Sequence, residues 1–270
     1  MTDITVIILT GKEELHIGRC LEKLAPLEPR QIVVVESQKG DRTHEIALAH
    51  GATCVWHDWP GLYAKQFNWA IDEVEKIGGG GEWILRLDAD EYLMPETIEK
   101  LKAELPRMPE EVAGLTLELK RRFCGSEIRH ATNGIRLLRI WCAGRGRSEE
   151  RAMDEHIEVD GKVIDFDGAF YDDNLNDMDW WREKHRRYAK REAADALAFA
   201  RGEIHFKPAK EAYYKMPRYL RAFIYFAIRY FLKGGILDGY GGWMWNFWQG
   251  LWYRCLVDYE IGRLKKADRK

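Results

Sequence analysis

The sequence has no paired cysteines. Its five (Cys20, Cys54, Cys124, Cys142 and Cys255) are odd in number and scattered, with no CxxC. That excludes a disulfide framework and a thiolate zinc site, and fits reduced, mostly buried thiols of a cytoplasmic protein. No uncharged apolar run approaches the roughly 20 residues needed to span a bilayer. The opening MTDITVIILT carries Asp3 and too short an apolar run for a signal peptide. A net charge of −2 leaves no excess of either sign, so no nucleic acid is expected as a partner. Internal repeats and low-complexity linkers are also absent. What remains is a chain of 270 residues, 46% hydrophobic, able to bury a sizeable core.

The first half alternates strand-like and helix-like segments. DITVIILT (3–10) and QIVVVES (31–37) are apolar and rich in β-branched residues, as strands buried on both faces are. EELHIGRCLEKL (13–24) reads as a helix with Leu15, Cys20, Leu21 and Leu24 in a stripe, and DRTHEIALAHG (41–51) as another ended by Gly51. TCVWH (53–57) is a short strand. LYAKQFNWAIDEVEKIG (62–78) is a helix with Phe67, Ala70, Ile71 and Val74 inward, and EWILRLD (82–88) is a fourth strand. This order predicts an α/β fold with a mostly parallel, Rossmann-like sheet flanked by helices, which binds ligands at the carboxyl ends of its strands. After residue 110 the alternation in GLTLELKRRF and GIRLLRIW suits a mixed or antiparallel sheet, and from 179 the chain reads as helical. The expected division is a catalytic domain over 1–178 and a helical C-terminal extension over 179–270.

WILRLDADEYLMPE (83–96) places Asp88, Asp90, Glu91 and Glu96 after a buried strand. Alternation in an extended segment puts Asp88 and Asp90 on one side. Mg²⁺ or Mn²⁺ takes one or two such carboxylates together with substrate phosphates. The competing reading is a solvated acidic turn. Glu91 and Glu96 are explained by a helix opening at Pro95, where acids are favoured.

VIILTGKEELHIGRCLEKL, IVVVESQKGDRTHEIA, WPGLYAKQFNWAI and WILRLDADE, in this order, resemble the inverting family 2 glycosyltransferases of GT-A fold. MDEHI, WWREKHRRYAKREA and GGILDGYGGWMWNFWQGLWYRCLVDYE resemble a bacterial branch of lipopolysaccharide-core β-glucosyltransferases and other surface-polysaccharide enzymes. The resemblance implies a UDP-sugar donor, a divalent Mn²⁺ or Mg²⁺, and a glycan or lipid-linked acceptor. By the same resemblance Thr10 lines the uracil pocket and Glu36, where aspartate is usual, contacts uracil or ribose. Asp41 matches a second aspartate of that loop, though a cap for the following helix explains it equally well. Lys65, Gln66 and Asn68 match a stretch near the nucleotide-sugar, Asp88 contacts ribose or metal, and Asp90 is the principal metal ligand. Relatives reading His-Glu at MDEHI make Glu155, ahead of Asp154, the base that takes the acceptor proton. At most one of Arg136 and Arg139 faces the cleft, where it would hold diphosphate. GKEE (11–14) replaces an aromatic and an amide of the family pattern with Gly11 and Lys12, and ESQKGD departs from its second loop.

In the C-terminal third, Lys184 and His185 are candidates to reach an anionic acceptor or the diphosphate, against a solvated face. Over KMPRYLRAFIYFAIRYFLKGG (215–235), one continuous helix would gather Lys215, Arg218, Arg221, Arg229 and Lys233 within about 120° of arc. Trp243, Trp245, Trp248 and Trp252 extend the theme. The expectation is peripheral contact with the inner face of the cytoplasmic membrane through 213–255, against packing within the protein or in an oligomer. The alternatives to a transferase are a sugar-phosphate nucleotidyltransferase and a catalytically silent scaffold that binds membrane or a partner. The first wants a Gly-rich phosphate loop that TGKEEL does not supply.

Overall fold

A computed structural model describes residues 1–77, 81–132, 134–150 and 156–267. These fall into two compact units, residues 1–120 with 134–175 and residues 121–133 with 176–270.

In the first unit, strands β1 (Thr2–Thr10), β2 (Pro29–Glu36), β3 (Thr53–Trp56) and β4 (Trp83–Asp88) run parallel. Helices α1 (Ile17–Leu24), α2 (Thr43–Ala49) and α3 (Tyr63–Lys76) connect them. Then come β5 (Glu91–Leu93), α4 (Pro95–Glu104), β6 (Val112–Phe123), β7 (Ser126–Ile128), β8 (Arg136–Cys142), β9 (Gly146–Ser148), β10 (Ile157–Val159) and β11 (Lys162–Asp173). The main sheet runs β3-β2-β1-β4-β8-β6-β11-β5, while β9 and β10 form a small antiparallel pair. The sheet is therefore mixed. Its parallel part is the β3–β4 half, and β8 joins β4 antiparallel.

Alternation along β1 divides the core. Ile4, Val6 and Ile8 pack with Ile17, Leu21 and Leu24 of α1, whereas Ile7 packs with Val33, Val35 and the inward face of α3 at Phe67, Ala70, Ile71 and Val74. Full burial of each such Val, Ile or Leu contributes about 1.5–3 kcal/mol, which fixes the register of the strands that carry the site. Helix α1 starts later than its apolar spacing suggests, and Leu15 is exposed. The preceding turn has other partners: Thr43 Oγ1 accepts the Glu13 N–H at 2.8 Å, and the His16 ring bonds Glu13 at 2.7 Å. Helix α4 opens as expected, with Pro95 and Glu96 in its first turn. Glu91 instead lies on β5.

In the second unit, the end of β6 pairs with β7. Helices α5 (Met178–Ala200), α6 (Pro208–Lys215), α7 (Leu220–Ala227), α8 (Gly239–Trp245) and α9 (Tyr253–Ala267) follow. The Asp177 carboxylate caps α5 by accepting the Trp180 N–H. Ala189, Ala193 and Leu197 of α5 pack on Tyr253, Val257 and Ile261 of α9. The continuous basic helix expected over 215–235 is not formed. The chain breaks at Pro217 and at Tyr219, whose φ is +63°, and α7 ends in a π-helical turn, Ile228–Leu232. Those breaks rotate two of its cations inward. Arg221 Nε bonds buried Asp258 at 2.9 Å, and buried Arg229 lies over Tyr225 and Trp245. Trp245 is buried too. No helix among the described residues is long and apolar enough to cross a membrane.

Candidate nucleotide and metal site

Parallel register sets Thr10 beside Glu36, Glu36 beside Trp56, and Leu9 beside Asp88. With neighbouring strands about 4.8 Å apart, the candidate residues share one edge of the sheet, the carboxyl edge where open α/β folds bind ligands.

The acidic cluster owes its tolerance of like charge to one inward carboxylate. Glu91 is buried; its Oε2 accepts the Asp88 N–H at 2.9 Å and its Oε1 pairs with the guanidinium of buried Arg139. Burial pushes the Glu91 carboxyl well above the usual range, Arg139 opposes this, and Asp88 and Asp90 add to it. Asp88 is left with a half-exposed carboxylate 4.0 Å from Arg86. Asp90 Oδ2 accepts from the Asn174 amide at 2.8 Å, and its backbone carbonyl accepts the Asp173 N–H at 3.1 Å. Oxygen donors alone, on a loop braced from behind, match Mg²⁺ or Mn²⁺. Below the loop, the Cys20 thiol is pushed up by burial and by the charges of Glu91 and Asp90.

The brace extends along the end of β11. Asp173 pairs with Arg19 at 2.8 Å and accepts from the Tyr92 hydroxyl at 3.2 Å. The Leu175 N–H donates to His16 Nε2 at 2.9 Å, so His16 carries its proton on Nδ1 and donates to Glu13. The sequence reading missed Asn174, Asp173, Arg19 and His16 and gave Glu91 to a helix start. The only cue to the first two was the run of acids and amides in YDDNLND after a strand.

The other candidates separate. Thr10 is buried and its hydroxyl donates to the Val35 carbonyl at 3.2 Å. Glu36 is buried and bonds His44 Nδ1 at 2.6 Å. The Cys54 thiol beside it is raised to about 11 by burial and by Glu36. One ligand atom each from Glu36, His44 and Cys54 lie within 4.8 Å of one another. A thiol and an imidazole in that set suit zinc rather than Mg²⁺ or Mn²⁺, so the oxygen-only pair at Asp88 and Asp90 is the better match. Asp41 accepts the Thr43 N–H at 3.2 Å and hydroxyl at 2.9 Å and the Glu14 N–H at 3.2 Å, a local capping role just before α2. Lys65 is exposed on α3. Gln66 is buried and holds the His57 ring at 2.6 Å. Asn68 forms two bonds with the Ser148 backbone, donating to its carbonyl at 2.9 Å and accepting its N–H at 2.8 Å. One residue later the Glu149 N–H donates to the His156 carbonyl at 2.8 Å. Asp154 and Glu155 fall between those two positions and lie outside the described residues.

Both arginines have partners within the protein. Arg139 is taken by Glu91. Arg136 donates to Thr116 Oγ1 at 3.0 Å and to its carbonyl at 2.8 Å, and pairs with Asp165 at 3.2 Å. In the second unit, His185 Nδ1–H donates to the Trp181 carbonyl at 2.8 Å and the ring stacks on Trp181 at 3.5 Å. Burial lowers its pKa to about 4. The Lys184 ammonium lies 4.7 Å over the Trp180 ring.

Comparison with known proteins gives this geometry a setting. A TPR repeat-containing protein of Synechococcus elongatus is 30% identical over 113 residues, 42% of this chain and 26% of its own length. An uncharacterized glycosyltransferase of Rickettsia typhi is 28% identical over 102 residues, 38% of this chain and 32% of its own length. The chain thus matches between a quarter and a third of those relatives. Among solved structures, S. aureus TarS is similar at TM-score 0.48 and 16% identity, over 99% of this chain and 54% of that one. Glucosyl-3-phosphoglycerate synthase from Mycobacterium tuberculosis is similar at TM-score 0.33 and 18% identity, over 44% of each chain. The profile described as Glycosyl transferase family 2 matches residues 5–152, more than half of the 270. By that match the chain belongs to glycosyl transferase family 2.

Proposed function

We propose that this chain is an inverting, metal-assisted hexosyltransferase that uses a UDP-sugar. The observation that carries the reading is the shared edge formed by Thr10, Glu36 and Asp88, with Asp90 braced beside it by Asn174. Such an edge offers polar groups to a nucleoside at β1 and β2 and carboxylates to its phosphates at β4. Mn²⁺ or Mg²⁺ held by Asp90 and Asp88 would neutralise charge on the diphosphate leaving group. Glu155, with Asp154 as the neighbouring alternative, takes the proton of the acceptor hydroxyl. That oxygen bonds to the anomeric carbon while the bond from that carbon to the diphosphate oxygen breaks, inverting the centre to a β-linkage and releasing UDP.

The acceptor we propose is a lipid-linked or lipopolysaccharide-type glycan, met at the inner face of the cytoplasmic membrane. Support comes from the resemblance of the MDEHI and C-terminal aromatic stretches to surface-polysaccharide enzymes. A screen of UDP-sugars by UDP release, with Mn²⁺ and crude lipid-linked glycan, tests this. Release with at least one UDP-hexose and its loss in Glu155→Gln are expected. No release from any donor counts against the transferase reading, and release unaffected by removing the glycan counts against the acceptor.

A further inference from the structure

Helix α7 and the turns after it are built with charge inside and hydrocarbon outside. Arg221 is buried on Asp258 and Arg229 is buried against Tyr225 and Trp245. The side chains turned outward are Phe223, Ile224, Phe231, Leu232, Leu237 and Tyr240. Exposure reaches 81% at Leu232, 70% at Leu237 and 74% at Tyr240. A run of large apolar side chains held in water is a contiguous apolar patch, and such patches mark interaction surfaces.

Within the ridge's own stretch of chain the exposed charges are basic: Arg218 and Lys233 are exposed, no acid occurs between Glu211 and Asp238, and Lys215 pairs with Glu211 at 3.9 Å. Asp238 does not offset them at the surface. Its carboxylate is buried, accepting the His130 N–H at 3.0 Å and bonding His130 Nδ1 at 2.7 Å. A second copy docking on the same face would bring these cations together. A fluid anionic surface accepts both the protruding side chains and the cations beside them.

We propose that the ridge from Leu220 to Trp243 inserts into the headgroup–acyl boundary of an anionic bilayer, with Arg218 and Lys233 at lipid phosphates. The proposal deepens the lipid-side acceptor reading and rests on it for its use in transfer. The assay reads binding with no donor or acceptor present, so either idea can fail alone. The full chain is floated with vesicles of phosphatidylcholine, with and without phosphatidylglycerol. It should co-float with the anionic vesicles and more weakly with the neutral ones. Phe231→Glu with Leu232→Glu should lower partition by about tenfold or more. Leu48→Glu, an exposed site on α2, should leave it unchanged, and unaltered thermal melting in both variants keeps the comparison valid. Brominated acyl chains should quench tryptophan fluorescence less in Trp243→Phe than in the parent. Absence of the parent from the floated fraction overturns the proposal, as does equal flotation of the double variant. Dimerisation that Phe231→Glu and Leu232→Glu abolish, without any vesicle binding, would overturn it in favour of self-association.

Discussion

The Asn174 side-chain amide donates to Asp90 Oδ2 at 2.8 Å, across 84 residues of sequence. The bond steadies the Asp90 carboxylate from the protein side. Groups of this kind behind a metal ligand typically matter 10–100-fold in affinity. Asn174→Ala should therefore weaken the Mn²⁺ dependence of UDP binding by about tenfold while melting stays unchanged. Equal Mn²⁺ midpoints for parent and variant would detach Asn174 from the site.

Arg139 tests the brace behind the loop. Its guanidinium is buried on Glu91. Arg139→Met leaves a buried carboxylate without its cation, at a cost of about 3–5 kcal/mol. Adding Glu91→Gln to Arg139→Met should recover part of that loss. Urea unfolding of the three proteins measures it, and an Arg139→Met midpoint within error of the parent would remove the pair from its bracing role.

Asn68 separates positioning from donor contact. Its two bonds to Ser148 hold the end of β9, which precedes in sequence the base proposed at Glu155. Asn68→Ala should lower kcat by about one to two orders of magnitude with little change in UDP affinity, because small misplacements of a reacting group carry penalties of that size. Loss of UDP affinity at unchanged kcat would instead make Asn68 a direct nucleotide contact.

His185 makes the second unit sensitive to acid. Its folded pKa of about 4 lies below the ordinary 6.5 because the ring is buried. The unfolded chain then binds the extra proton between those values, so stability is full above pH 6.5 and falls as pH drops toward 4. The loss is on the order of 2–3 kcal/mol. Denaturation midpoints at pH 7 and 4.5 should differ, and His185→Gln should shrink the difference. An unchanged difference in the variant would assign the acid sensitivity to other groups.

Local pattern was enough for β1, β2, β4 and the buried face of α3, since each rests on contiguous apolar residues with one period. It was also enough to place Asp88 and Asp90 at a strand end. It failed where partners come from far along the chain. Asn174 meets Asp90 through the pairing of β11 with β5, which no short window contains. Arg221 and Arg229 looked like a basic stripe because one uninterrupted helix was assumed. Pro217, the positive φ of Tyr219 and the π turn at 228–232 change the phase of that wheel and turn the charges inward. The end of β6 from Arg121 on, with β7, likewise belongs with the helical unit through contacts such as Phe123 on Trp181 and Trp245, which periodicity cannot register.

The most direct test is a calorimetric titration of UDP into the parent and Asp90→Asn proteins, with and without Mn²⁺. The parent should bind UDP more tightly with Mn²⁺, and Asp90→Asn should lose that gain while keeping its melting temperature. Binding that ignores Mn²⁺ in the parent, or a gain that survives in Asp90→Asn, would contradict the assignment of the β4 edge as the site for the nucleotide's phosphates.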